Sequence, residues 1–252
     1  MSYILDSIPQ MLLMLPVVLF SLSVHEAAHG FVAYKLGDPT ARNLGRLTLN
    51  PMKHINPIGF FAMLLFRVGW ANPVPINTRY FKNPKRDMAL SAAAGPISNL
   101  CLSVIFAVFL RIAMIPTSNI IASEIANGSL DEEALLSNGA FTALSLIVTM
   151  LYLGVSLNLN LMFFNLVPLP PLDGSRIAYI FLPTGLYFKV MKYERYIMIA
   201  FLLLFATGII DLPLSVLSEG VSSFLYKILG MPSAELFYTL FSLFSRLPTF
   251  SL

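Results

Sequence analysis

The sequence predicts an all-α protein that crosses a membrane several times, and three observations carry that expectation. Hydrophobic residues make up 57% of the chain and charged residues only 12%, with a mean hydropathy of +0.76. A soluble domain is nearer half apolar and a quarter charged, so this chain lacks the polar surface to cover itself in water. The apolar residues fall into runs long enough to span a bilayer. Basic and acidic residues alternate between those runs. About four to six transmembrane helices are expected, forming a single membrane-embedded domain over residues 1–252. Its core would cover about 11–176, with further membrane helices over about 196–248.

The first run extends from about Met11 to Tyr34 and contains Pro16. The preceding MSYILDSIPQ lacks the positive region of a secretory signal, so this run is expected to stay in the mature protein. The second run, about Met88 to Ile115, contains Gly95-Pro-Ile-Ser-Asn99. Between these two lies Pro57 to Trp70, apolar but short for a span, which reads as a re-entrant or interfacial segment. It is flanked by LGRLTLNP and WANPVPIN, whose Asn-Pro and Pro-x-Pro pairs favour extended chain and turns. The third run covers about Ala140 to Val167 and the fourth about Tyr196 to Ile210. For Val221 to Phe244, a further span and an amphipathic surface helix are both open.

Charge gives an orientation. Nine Lys and Arg lie between Lys35 and Arg86, and Arg176, Lys189, Lys192 and Arg195 follow the third run. The stretch from Pro116 to Gly139 has neither, and holds Glu124, Asp131, Glu132 and Glu133. The positive-inside rule puts both basic loops in the cytoplasm and the acidic one outside. The expected location is the cell membrane. The net charge is only +3 and no basic tract carries interleaved aromatics, so nucleic acid is not a partner. The single cysteine, Cys101, allows no internal disulfide and reads as a buried small hydrophobe.

The chemistry concentrates in the first run, at His25-Glu26-Ala-Ala-His29. On an α-helix, residues four apart point within about 40° of each other, so both imidazoles can reach one zinc ion. Glu26 lies about 60° around from His29, where a carboxylate can take a proton from water at the metal. Three ionisable side chains on one turn of an apolar helix are costly unless paired or ligated. The bland alternative is a polar face against a neighbouring helix, or a helix end lying in cytoplasmic water. A catalytic zinc usually takes three protein ligands. Lys35 stands where the longer metzincin motif would place a third histidine, which excludes that class. Asp173, in NLVPLPPLDG, follows Pro168, Pro170 and Pro171, which must end or unwind the third helix. It is the leading third ligand, with an Asp-Gly turn outside the membrane as the alternative. His54 reads as an ordinary loop histidine, and Asp38, between Gly37 and Pro39, as an ordinary turn residue.

These residues, in this order, resemble the site-2 protease family of intramembrane metalloproteases, peptidase family M50. HEAAHG, GPISN and NLVPLPPLDG carry the resemblance, and the connecting text matches its small prokaryotic branch, over about Ser23 to Arg176. The resemblance implies that His25, His29 and Asp173 ligate zinc and that Glu26 is the catalytic base. It also implies that Asn165 helps to orient the site or stabilise an oxyanion. Asn99 matches the asparagine of the middle motif. For both asparagines, hydrogen bonding between helices without catalytic contact is equally open. The implied substrate is a transmembrane segment of another protein, which must unwind before attack. The extended WANPVPIN stretch is a candidate for pairing with it as an added strand.

Two other classes compete. A non-catalytic scaffold would have lost the glutamate or a ligand, and all four residues are present. A transporter commonly shows two similar halves with matching broken helices, and only one broken helix is found. About one Zn²⁺ per chain is expected of the protease and none of the others. The sequence leaves the oligomeric state open.

Overall fold

A computed structural model describes residues 2–59, 71–126, 138–206 and 211–231. Helix α1 is Ser2–Lys35, followed by the short α2, Thr40–Asn43. The long helices α3, Pro84–Ala126, and α4, Gly139–Leu166, come next. Shorter helices follow: α5, Asp173–Ala178; α6, Thr184–Met191; α7, Glu194–Ala206; and α8, Asp211–Ile228. Among the described residues there is no strand, and the one isolated bridge joins Ile55 to Ala71. The protein is therefore all-α. Among the described residues, three stretches are long and apolar enough to cross a membrane: Leu13–Lys35, Pro84–Ser123 and Gly139–Leu166.

Burial on these helices is inverted relative to a soluble protein. On α1 the buried residues include Val17, Ser21, His25, His29 and Ala33, four apart, while Phe20 and Phe31 are exposed. A spacing of four keeps a stripe on one helix face, drifting about 40° per step. On α3, Ser91, Ala92, Asn99, Ser103 and Ala107 are buried, whereas Ile97, Phe109 and Ile112 are more than half exposed. Small and polar groups make up much of the inward face, beside Leu102, Leu110 and Met114 on α3, and the outward face is rich in large apolar groups. Lipid solvates the outer face, and small residues let the helix backbones approach.

Both ends of α4 and the C-terminal end of α1 fall within a residue of the sequence expectation, while α1 begins nine residues earlier, at Ser2; α3 departs further. It continues through Pro116 to Ala126 instead of giving way to a loop. An interior proline removes one backbone donor, and membrane helices tolerate it where neighbouring groups make good the loss. The carbonyl that Pro116 leaves without its helical donor is Ile112 O; the adjacent Thr117 and Ser118 hydroxyls donate to Ala113 O and Ile115 O instead. At 43 residues α3 is about 65 Å long, well beyond a hydrocarbon core of about 30 Å. Cys101 is exposed on α3, not buried as expected. Among outward-facing apolar residues it is a small hydrophobe against lipid. Helix α7 has 13 residues and begins the fourth expected run; the end of that run, residues 207–210, lies outside the described residues. So do residues 60–70, most of the expected re-entrant segment, and everything after Met231.

The chain forms two compact units. The first comprises residues 1–18, 102–157 and 220–252, and the second 19–101 and 158–219. Within the first, a Cβ at Gly154 would meet the Phe106 ring at 2.7 Å, so the glycine permits close packing there. Arg111 also donates from Nε to Leu229 O at 3.1 Å. The second unit contains every candidate site residue. Its buried polar pairs include Asn158 Nδ2 donating to Ser21 Oγ at 2.9 Å.

Candidate metal centre

His25 and His29 lie on the inward stripe of α1, with rings edge to face and centroids 4.6 Å apart. Their Nε2 atoms are 3.0 Å apart. The third corner is Asp173, the first residue of α5. Its Oδ2 lies 3.2 Å from His25 Nε2 and 3.1 Å from His29 Nε2. Both histidines are buried and Asp173 nearly so.

The local sequence explains why Asp173 arrives there. Helix α4 ends at Leu166, and the Pro-rich turn after it includes a cis bond between Pro170 and Pro171. Leu172 is extended, and Asp173-Gly174 then starts α5. A Cβ on Gly174 would collide with Leu166 O and Val167 O, so only glycine lets α5 begin this close to the end of α4. The Asp-Gly pair is a helix start, not a free turn.

Helix α3 forms the floor. Ser91, Gly95 and Asn99 are spaced four apart and therefore share a face. His29 Nδ1 donates to Ser91 O at 2.7 Å, and Asn99 Nδ2 lies 3.1 Å from His25 Nδ1. Between them, a Cβ on Gly95 would fall inside the contact distance of both imidazoles. Glycine in GPISN thus has a steric reason: the α3 backbone lies directly against the two rings.

Zinc itself is implied by chemistry, and the residues fit it on three counts. The donors are two imidazole nitrogens and one carboxylate oxygen, a set that zinc takes in hydrolytic sites. Their separations of 3.0, 3.1 and 3.2 Å approach the edge of a tetrahedron with bonds of 2.0–2.1 Å, about 3.3–3.4 Å. Asp173 Oδ2 is buried with no hydrogen-bond partner, an orphaned acceptor that a cation would satisfy. Three protein donors leave a fourth position open to water or substrate.

Glu26 is half-buried, and its Oε2 accepts a hydrogen bond from Val74 N at 2.8 Å. That amide belongs to the stretch from Ala71 to Asn77, which is held on several sides. Asn72 N donates to His54 O, and Asn77 N donates to Asp38 Oδ2 at 2.7 Å. Arg46 donates to Asn72 O at 2.6 Å. Three amides of this stretch are thus engaged within the chain, and Pro73 and Pro75 have none to offer. A substrate strand added here would find few donors, which weighs against strand pairing through this stretch.

Asp38 and His54 are more deeply buried than their sequence settings suggest. Asp38 is fully buried, and its Oδ1 accepts from Thr40 N and Thr40 Oγ1 while its Oδ2 takes Asn77 N. It ties the end of α1 to the stretch that holds Glu26. His54 is also buried, with Nε2 2.8 Å from Thr48 O, and organises the loop rather than joining the three donors. Asn165 is half-buried and donates to Leu161 O one turn back on its own helix. Val74 and Ser91 act through backbone groups, which leave no mark on residue type, so sequence reading had no means of finding them.

The fold and this site define a class, a membrane-embedded peptidase with an H-E-x-x-H helix. The sequence pattern of Peptidase family M50 matches residues 13–205. Two relatives bear the name "Putative zinc metalloprotease". YwhC of Bacillus subtilis (strain 168) is 42% identical over 75% of this chain and 78% of its own length. Rip2 of Mycolicibacterium smegmatis is 28% identical over 62% of this chain and 52% of its own length, so the match spans about half of that relative. No solved structure matches the chain. The chain belongs to peptidase family M50, the site-2 protease family.

Proposed function

We propose that this chain is an intramembrane zinc metalloprotease that hydrolyses peptide bonds in or near transmembrane segments of other membrane proteins. The observation that carries it is the buried triangle of His25 Nε2, His29 Nε2 and Asp173 Oδ2. A triangle of ligand-type atoms among lipid-facing helices suits a substrate that is itself in the bilayer. His25, His29 and Asp173 would hold one zinc ion per chain. When bound, zinc would supply a Lewis acid that polarises a peptide carbonyl and acidifies water.

The chain's own residues do the rest. Glu26 takes the proton from the attacking water and returns it to the departing amine. The Val74 amide holds one carboxylate oxygen, which fixes the group's position and leaves the other for proton transfer. The substrate helix must unwind first, because its peptide carbonyls are engaged in i→i−4 hydrogen bonds. Residues 1–252 act as one catalytic domain in the cell membrane, crossing it several times, with the site toward the cytoplasmic face. The bilayer and a transmembrane substrate are its partners.

The test is Glu26→Gln. The amide keeps the shape, and the three donors stay in place. Zinc content should match wild type while cleavage of a single-span membrane substrate falls by at least about 100-fold. Substantial cleavage by zinc-loaded Glu26→Gln protein would remove Glu26 from the mechanism.

A further inference from the structure

Both imidazoles can ligate through Nε2 only if the ring proton sits on Nδ1. For His29 the structure arranges this. Its Nδ1 faces Ser91 O, a backbone carbonyl that can only accept, so Nδ1 carries a proton and, in the neutral ring that a metal requires, Nε2 carries the lone pair.

His25 is different, because its Nδ1 faces a side-chain amide. Asn99 is fully buried, with Nδ2 3.1 Å from His25 Nδ1 and Oδ1 buried without a partner. An amide can present either end. With Nδ2 toward the ring, Nδ1 must accept, and the proton moves to Nε2, where it points among the three donors and blocks ligation. With Oδ1 toward the ring, Nδ1 donates and Nε2 is free. The two ends have nearly the same shape, so a half-turn of the amide exchanges them within the same space. The cost of one buried unpaired polar atom is small beside the free energy of binding zinc, so metal binding can drive this half-turn.

We infer that Asn99 is the positioning residue for His25: in the metal-bound form its Oδ1 accepts the Nδ1 proton and so holds His25 in the ligating tautomer. The inference rests on the reading of His25, His29 and Asp173 as a metal site. It gives the α3 face one job at both ends, with Ser91 O fixing His29 and Asn99 fixing His25, on either side of Gly95.

The test is zinc affinity, measured on the full chain in detergent by competition with a chromophoric chelator. Asn99→Leu removes the acceptor at similar size and should weaken zinc binding by about 10–100-fold. Asn99→Asp can only accept from Nδ1 and should bind within about threefold of wild type, or tighter. A purely structural interhelical amide would lose as much with aspartate as with leucine, and that result overturns the inference. So does wild-type affinity in Asn99→Leu.

Should Asn99→Leu fail to fold, ring-¹⁵N spectra of wild-type protein loaded with ¹¹³Cd²⁺ answer the same question. The chain has only three histidines, so assignment is tractable. Cadmium coupling at His25 Nε2 with a protonated Nδ1 is expected, and an unprotonated His25 Nδ1 overturns the inference. A wild-type protein that binds no zinc at all removes the metal site and this inference with it. Bound zinc with indifferent Asn99 variants removes only the inference.

Discussion

Gly95 shows how little room the three donors leave. Its Cα lies so close to both rings that a single methyl group would overlap His29 Nε2 and His25 Cε1. Gly95→Ala should therefore displace the imidazoles and reduce zinc, although the side chain added is neither charged nor large. Asp173→Asn should reduce zinc for a different reason, since a neutral amide oxygen is a poor partner for a dication beside two neutral imidazoles. Zinc stoichiometry after mild chelation, across Gly95→Ala, Asp173→Asn and wild type, checks both. Full zinc in Asp173→Asn would mean that another group supplies the third ligand. Retention in Gly95→Ala would mean that α3 can retreat.

Among the elements, the extended stretch from Ala71 to Asn77 carries the least obvious share of the site. It reaches Glu26 only through the Val74 amide. Val74→Pro deletes that donor between two existing prolines and should lower kcat by about 10–100-fold while zinc stays bound. Asp38→Ala should act in the same direction by releasing Asn77. Activity and zinc content measured together decide the matter; unchanged kcat in Val74→Pro would free Glu26 from this hydrogen bond. Such a link was not legible in the sequence. The spacing of His25, Glu26 and His29 showed they share one helix region, and the proline run before Asp173 showed where α4 must stop. Helix periodicity and proline chemistry are local rules. Asp38, by contrast, read as a turn residue because Gly-Asp-Pro looks the same whether exposed or fully buried. Pro116 read as a helix end, and the hydroxyls of Thr117 and Ser118 that accompany its passage through α3 became visible only with coordinates.

At the scale of the whole molecule, composition announced the solvent correctly. A chain with 12% charged residues folds with many large apolar side chains outward and several serines, asparagines and histidines inward. The number of crossings was harder to read, because hydropathy does not distinguish a helix that spans from a shorter apolar one such as α7, at 13 residues. The orientation proposed from charge is open to direct test. A reporter fused near Lys82 should read as cytoplasmic and one near Glu132 as external. The reverse pattern would turn the site toward the other face of the membrane.

The candidate ligands lie on distant parts of the chain, with His25 and His29 on α1 and Asp173 at the start of α5. An ion held by all three closes a loop on the order of 150 residues, the kind of long-range tie that a disulfide makes in secreted proteins. This chain's single cysteine can make none. Zinc would then be a removable rivet as well as a reagent. At a free concentration of about 1,000 times Kd it would add about 4 kcal/mol to the resistance of the fold to unfolding. Because that effect owes nothing to turnover, it should persist in the inactive Glu26→Gln protein. A chelator should lower the thermal midpoint of Glu26→Gln and wild type alike, and should leave Asp173→Ala nearly unmoved. Equal midpoints with and without chelator in wild type would mean that the ion sits on the fold without fastening it.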